Sequence, residues 1–80
     1  MWFVYVLKCE DGTFYTGATN NLEKRLADHK AGKGGRYTRS HKVVKMIYSE
    51  KFLTKSQALK KEFEIKKWRR ETKIKNLNLI

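Results

Sequence analysis

The chain has no proline, one cysteine and two histidines among its eighty residues. Without proline, element boundaries must be read from glycines, polar caps and changes of hydrophobic period. A single cysteine, Cys9, cannot form an internal disulfide, and with two scattered histidines it cannot build a structural zinc site. No apolar run approaches about 18 residues, so no membrane-spanning helix is expected. The apolar start, Met1-Trp2-Phe3-Val4-Tyr5-Val6-Leu7, has no basic region before it and no small-residue cleavage site. It reads as a strand rather than a signal peptide, and the cytoplasm is the expected compartment. Acidic residues are also scarce: 8 Asp and Glu stand against 19 Lys and Arg, a formal net charge of +11.

That excess points to a polyanionic partner, DNA or RNA. A membrane surface would call for a basic helix with an apolar opposite face. Lys60–Arg70 fits that only in part, so no membrane partner is expected. Hydrophobic residues make up 40% of the chain and aromatics 12%, which is material for a core. At this size folding buries roughly 60% of the unfolded chain's surface, enough for one domain over residues 1–80. A monomer is expected.

Val and aromatic enrichment predicts a strand over Trp2–Cys9 and a second over Thr13–Ala18, joined at Glu10-Asp11-Gly12. Asn20, with Glu23 three residues on, resembles a capping box. The helix it opens is expected from about Asn21 to Ala31, ending at Gly32. Gly32-Lys33-Gly34-Gly35-Arg36 reads as a basic loop, and Val43–Tyr48 as a third strand. Thr54 with Gln57 forms another capping box, opening a long helix to about Arg70. A last short helix is expected over Thr72–Leu79, with Ile74 and Leu77 on one face. The order is ββαβαα, an α+β domain with a three-stranded antiparallel sheet flanked by helices.

Two hairpin registers compete. A two-residue Asp11-Gly12 loop pairs residues whose numbers sum to about 23, which puts Tyr5 and Tyr15 on opposite faces. A three-residue loop with Gly12 in the left-handed position pairs residues summing to about 22. Tyr5 then lies opposite Gly17, Leu7 opposite Tyr15, and both tyrosines share a face. Glycine inside a strand often marks a close approach of ligand or backbone, which favours the second register.

At about 100° per residue, Leu22 and Leu26 define the inward stripe of the first helix. His29 lies on that stripe, and Arg25 precedes it by one turn. On the long helix, Ala58, Leu59, Phe63, Ile65 and Trp68 define an apolar arc. Glu62 falls near its middle, and Glu64 falls on the far side among lysines. A carboxylate placed for burial must be paired or bound to metal. The plain structural alternative for Glu62 is an ion pair with Lys66 or Arg25, or a side chain snorkelling to water at the edge of the arc.

These residues carry a resemblance. Phe3-Val4-Tyr5, then Tyr15-Thr16-Gly17, then Asn21-Leu22-Glu23-Lys24-Arg25 with His29, and later Ala58-Leu59 with Glu62, look like a GIY-YIG nuclease domain. Closest in form are the small stand-alone bacterial proteins of that family. Phe3-Val4 stands where the family's first motif begins Gly-Ile, and Thr16 takes the middle of the second. The length leaves no room for a separate DNA-targeting domain.

The resemblance implies a metal-dependent endonuclease fold that cuts phosphodiester bonds, most often in DNA. It implies catalytic roles for Tyr5, Tyr15, Arg25, His29 and Glu62. Glu62 would hold a divalent ion, Mg²⁺ or Mn²⁺. Arg25 would grip a phosphate oxygen and Tyr15 would orient the phosphate, although the two tyrosines could exchange roles. Tyr5 would activate water and pass a proton to His29, provided nearby cations lower its pKa. Gly17, Lys33, Arg36 and Arg39 would meet the nucleic-acid backbone, and Asn76 loosely matches a further family asparagine. The competing reading is a basic nucleic-acid-binding module with no chemistry, taking DNA or structured RNA.

Overall fold

A computed structural model describes residues 1–33 and 41–77. Three strands, β1 (Trp2–Cys9), β2 (Phe14–Thr19) and β3 (Val43–Phe52), form one antiparallel sheet in the order β2-β1-β3. Three helices, α1 (Leu22–Lys30), α2 (Lys55–Lys66) and α3 (Arg70–Asn76), complete the order ββαβαα. The α+β class and the strand–helix order are those expected.

β1 is central, and four consecutive residues, Val4, Tyr5, Val6 and Leu7, are fully buried. A strand covered on both faces needs a continuous apolar run rather than an alternating one. Successive side chains point to opposite faces, so the run divides into two cores. Val4 and Val6 pack with Ala58 and Ile65 of α2, joined by Trp68 and Leu77. Tyr5 and Leu7 pack on the other face with Leu22 and Leu26 of α1.

The hairpin takes the three-residue register: Tyr5 pairs with Gly17 and Leu7 with Tyr15. Gly12 sits at φ +83°, a left-handed conformation that side chains other than glycine adopt at a cost. Its N–H donates to the Cys9 carbonyl at 3.0 Å, closing the turn. Asp11 ties the tip further, accepting from both the backbone and the hydroxyl of Thr13.

The cap of α1 is Asn21, not Asn20. Its side chain accepts from the Lys24 N–H at 3.1 Å, so Glu23 falls one position short of a capping box. The displacement has a local cause: the Thr19 hydroxyl accepts from the Asn21 N–H and extends the turn by one residue. At the other end Lys33 N–H bonds to Asp28 and Gly32 N–H to His29, the paired bonds of a Schellman motif. Gly32 is the stop, as expected.

β3 runs four residues past its expected end at Tyr48, to Phe52, because Ser49–Phe52 pair with Trp2–Tyr5. Two register shifts in β1–β3, at Val6/Leu7 and Lys8/Cys9, mark bulges along the ladder.

The long helix stops four residues short of its expected end at Arg70. α2 ends at Lys66, and α3 begins at Arg70 rather than Thr72. The turn between them lets Trp68 and Leu77 both reach the Val4/Val6 core. The apolar arc is also narrower than expected. Leu59 and Phe63 are 43% and 63% exposed. At 100° per residue they lie about 100° and 140° round from Ala58, whereas Ile65 lies about 20° from it.

The Thr54 capping box is present in full. The Thr54 hydroxyl accepts from the Gln57 N–H, and the Gln57 side chain accepts from the Thr54 N–H. Thr54→Ala is expected to cost about 1 kcal/mol of unfolding free energy, read from urea midpoints at constant slope.

Candidate active site

Both tyrosines lie on the α1 face of the sheet, with ring centroids 6.5 Å apart. His29 closes the group from α1, its ring centroid 5.8 Å from Tyr5 and 5.1 Å from Tyr15. The Tyr5 oxygen is 2.8 Å from His29 Nε2 in a buried contact. Gly17 makes this possible. A Cβ there would come within 2.6 Å of Tyr5 Cζ and closer still to the hydroxyl. The Tyr5 ring therefore lies flat across β2, reaching from the central strand toward the outer edge of the sheet.

Burial pushes the Tyr5 hydroxyl up to about 12 from its ordinary 10.0, and the facing Arg25 guanidinium only partly offsets this. Tyr15 and Glu62 add to the rise. The expected lowering by cations is thus not achieved by the chain's own charges. His29 moves the opposite way: burial, then the Arg25 charge, holds its pKa below the usual value. With the imidazole proton on Nδ1, His29 Nε2 is the acceptor and the protonated Tyr5 phenol donates to it, with the Arg25 guanidinium acting on the phenol oxygen.

His29 stability linkage follows from that direction. A folded pKa below 6.5 means the unfolded chain binds more protons in mild acid. Its contribution is full above about pH 6.5 and is lost as pH falls below it. The urea midpoint is expected to drop between pH 7.5 and 5, and His29→Gln is expected to flatten that drop.

Glu62 arrives from α2, on the other face of the sheet. It sits in the middle of the buried Ala58–Ile65 stripe with its side chain 17% exposed. Oε2 is 2.8 Å from Lys66 Nζ, which is the ion pair foreseen as the plain alternative. Its charge nonetheless bears on the Tyr5 hydroxyl around the β2 edge. Oε1 makes no hydrogen bond among the described residues. Among those residues no three His, Cys, Asp or Glu side chains converge as a metal cage. A largely buried carboxylate with one oxygen outside its ion pair fits an ion completed by waters and a phosphate, the usual arrangement for Mg²⁺.

Tyr5, Tyr15, Arg25 and His29 are therefore brought together, with Glu62 within electrostatic reach. Lys33 is exposed just past the end of α1. Arg36 and Arg39 lie outside the described residues. Asn76 is exposed in the last turn of α3, whose neighbour Leu77 packs on the Val4/Val6 side. Lys66 was visible in the sequence only as one possible partner of Glu62; its i,i+4 spacing was the signal.

A small sheet that presents paired tyrosines over a glycine, flanked by an arginine and a histidine on one helix, defines a nuclease-type domain. The chain belongs to the GIY-YIG catalytic-domain family, a nuclease family acting on nucleic acid, whose model matches residues 1–78. Its near relatives are small stand-alone bacterial proteins. It is 47% identical over 73 residues to a UPF0213 protein of Staphylococcus haemolyticus, covering 91% of this chain and 89% of that one. The solution structure of an E. faecalis protein superposes with a TM-score of 0.65 at 44% identity, over 95% of this chain and 81% of the other. A UPF0213 protein of Bacillus halodurans gives a TM-score of 0.59 at 34% identity, over 99% and 85%.

Proposed function

We propose that the chain is a metal-dependent endonuclease that hydrolyses phosphodiester bonds in DNA, working in the cytoplasm. The observation that carries this reading is the buried Tyr5–His29 hydrogen bond of 2.8 Å beside Arg25. It joins a protonated phenol to an imidazole held neutral and ready to accept a proton.

In this reading Tyr5 need not ionise in advance. As water gives a proton to the Tyr5 oxygen, the phenolic proton passes to His29 Nε2, so net charge moves only to the imidazole. That relay bypasses the cost of forming a free phenolate from a group near 12. Arg25 holds a non-bridging phosphate oxygen with its planar fork. Tyr15, half-buried at the rim, orients the phosphate. Glu62, with waters and a phosphate oxygen, would hold a divalent cation, Mg²⁺ or Mn²⁺, which supplies charge neutralisation at the phosphate and the leaving oxygen. Lys33 and the other basic residues after α1 contact the backbone without reading bases.

The Glu62–Lys66 pair favours a second reading, in which Glu62 is structural and the chain only binds nucleic acid. Supercoiled plasmid separates the two. Conversion to nicked circle with Mg²⁺, stopped by EDTA, is expected for the enzyme. Retardation of plasmid with no conversion in either condition overturns it in favour of the binder.

A further inference from the structure

On the α2 face of the hairpin, a cavity of about 160 Å³ is lined by Thr13, Phe14, Arg70 and Lys73. Phe14 precedes Tyr15 on β2, and side chains alternate along a strand, so this cavity opens on the face opposite the tyrosines. Arg70 is fixed in place. Its guanidinium stacks 4.7 Å from the Phe14 ring centroid and donates to the Gly12 carbonyl. Lys73 is half-buried, and burial together with the Lys66 charge holds its pKa below the ordinary value. Neither cation is paired with a carboxylate among the described residues.

Both cations line one cavity with no carboxylate beside them among the described residues, so an anion entering it meets positive charge not already neutralised. A guanidinium held by the Phe14 ring and the Gly12 carbonyl, next to a half-buried ammonium and an aromatic wall, is a pattern that takes a phosphate. Drug-sized ligands fill cavities of about 300–1,000 Å³. The smaller volume here suits a phosphate group and the atoms next to it rather than a whole nucleotide.

Lys66 links this cavity to the active site. It bonds Glu62 at 2.8 Å and is close enough to Lys73 to depress its pKa. A phosphate in the cavity would therefore lie one lysine away from the carboxylate on which the proposed cleavage depends.

We propose that the Thr13–Phe14–Arg70–Lys73 cavity holds a second backbone phosphate of the bound nucleic acid, on the opposite face of the β1–β2 hairpin from Tyr5 and Tyr15. This rests on the reading of the chain as a nuclease. A strand gripped here passes along the outer edge of β2 and is clamped on both faces of the hairpin. Such a grip gives register to a chain that has no separate targeting domain within these residues.

Two measurements test it. The first titrates inorganic phosphate into the ¹⁵N-labelled chain at low salt. Saturable shifts of the Thr13, Phe14 and Lys73 amides are expected; shifts confined to Arg25 and its neighbours, or none that saturate, overturn the site. The second measures duplex binding against salt by fluorescence anisotropy. Lys73→Gln should weaken binding and reduce the log–log salt slope by about 1, the share of one phosphate contact. Arg70→Lys keeps the charge and loses the planar stack, so it should weaken affinity with little change of slope. Lys60→Gln, on the solvent side of α2, is the control and should leave the slope nearly unchanged. If Lys60→Gln and Lys73→Gln lower the slope equally, binding is a diffuse surface effect and this site is overturned while the nuclease reading stands. If the wild-type chain shows no salt-dependent duplex binding, the nuclease reading falls as well.

Discussion

Glu62→Gln is expected to reduce Mg²⁺-dependent plasmid nicking by at least about 10²-fold, the scale seen when one preorganised electrostatic group is removed. The substitution keeps the shape of the side chain and removes only its charge. What it does to stability should be small. Lys66, the partner of Glu62, is half exposed and remains solvated when the pair is lost. An i,i+4 pair of that kind is worth about 0.3–0.5 kcal/mol, screened further by salt. Duplex binding should hold or tighten slightly, because a negative charge has gone from a basic surface. The two readings of Glu62 therefore diverge by orders of magnitude in one assay. A nicking rate within about threefold of wild type, which is under 1 kcal/mol in barrier, would show that Glu62 does no more than pair with Lys66.

Gly17→Ala has the largest expected effect on the fold. The added Cβ would meet the Tyr5 ring at 2.6 Å from Cζ and press harder on the hydroxyl. Tyr5 cannot simply swing away, since it is fully buried between α1 and the sheet. Overpacking of this sort costs about 1–3 kcal/mol, and displacing the ring also breaks the buried bond to His29, about 1–3 kcal/mol more. A loss of about 3 kcal/mol is a large share of a typical 5–15 kcal/mol total. Chemical denaturation measures it directly. A double-mutant cycle with Tyr5→Leu isolates the cause: if Gly17→Ala is equally destabilising without the tyrosine, the close approach is not what makes glycine necessary there.

Much of this geometry could be read before any coordinates. Gly12 and Gly17 together selected the hairpin register, because only one pairing gives both glycines a reason. That register placed Tyr5 and Tyr15 on one face, and the Leu22–Leu26 stripe placed His29 toward them. The misplaced glutamate on α2 was also visible, as a charge inside an apolar stripe. Other features were hidden for physical reasons. Asn20 and Asn21 are chemically identical caps, and only the Thr19 bond to the Asn21 N–H decides between them. Lys67–Arg69 holds no glycine to fix where the break between the last two helices falls, so it was expected four residues late; Trp68 and Leu77 pack on the Val4/Val6 core on either side of α3. The Tyr5 pKa went the wrong way in the sequence reading because a count of cations is visible and desolvation is not. Nothing in the sequence singles out Arg70 and Lys73; the packing of α3 against the hairpin brings them beside Thr13 and Phe14.

Of the three strands, the one that comes first in the chain is the middle strand of the sheet. Its pairing with β2 is short-range and can form as soon as the hairpin leaves the ribosome. Its second neighbour is made more than thirty residues later, and the covers for Val4 and Val6 come from α2 and from Trp68 and Leu77 near the far end of the chain. Non-local pairing of this kind slows folding. Until nearly the whole chain has emerged, a nascent β1 carries an open hydrogen-bonding edge and an uncovered valine face, the condition in which strands associate with other chains. Shelter during translation is thus a demand that this topology places on the cell.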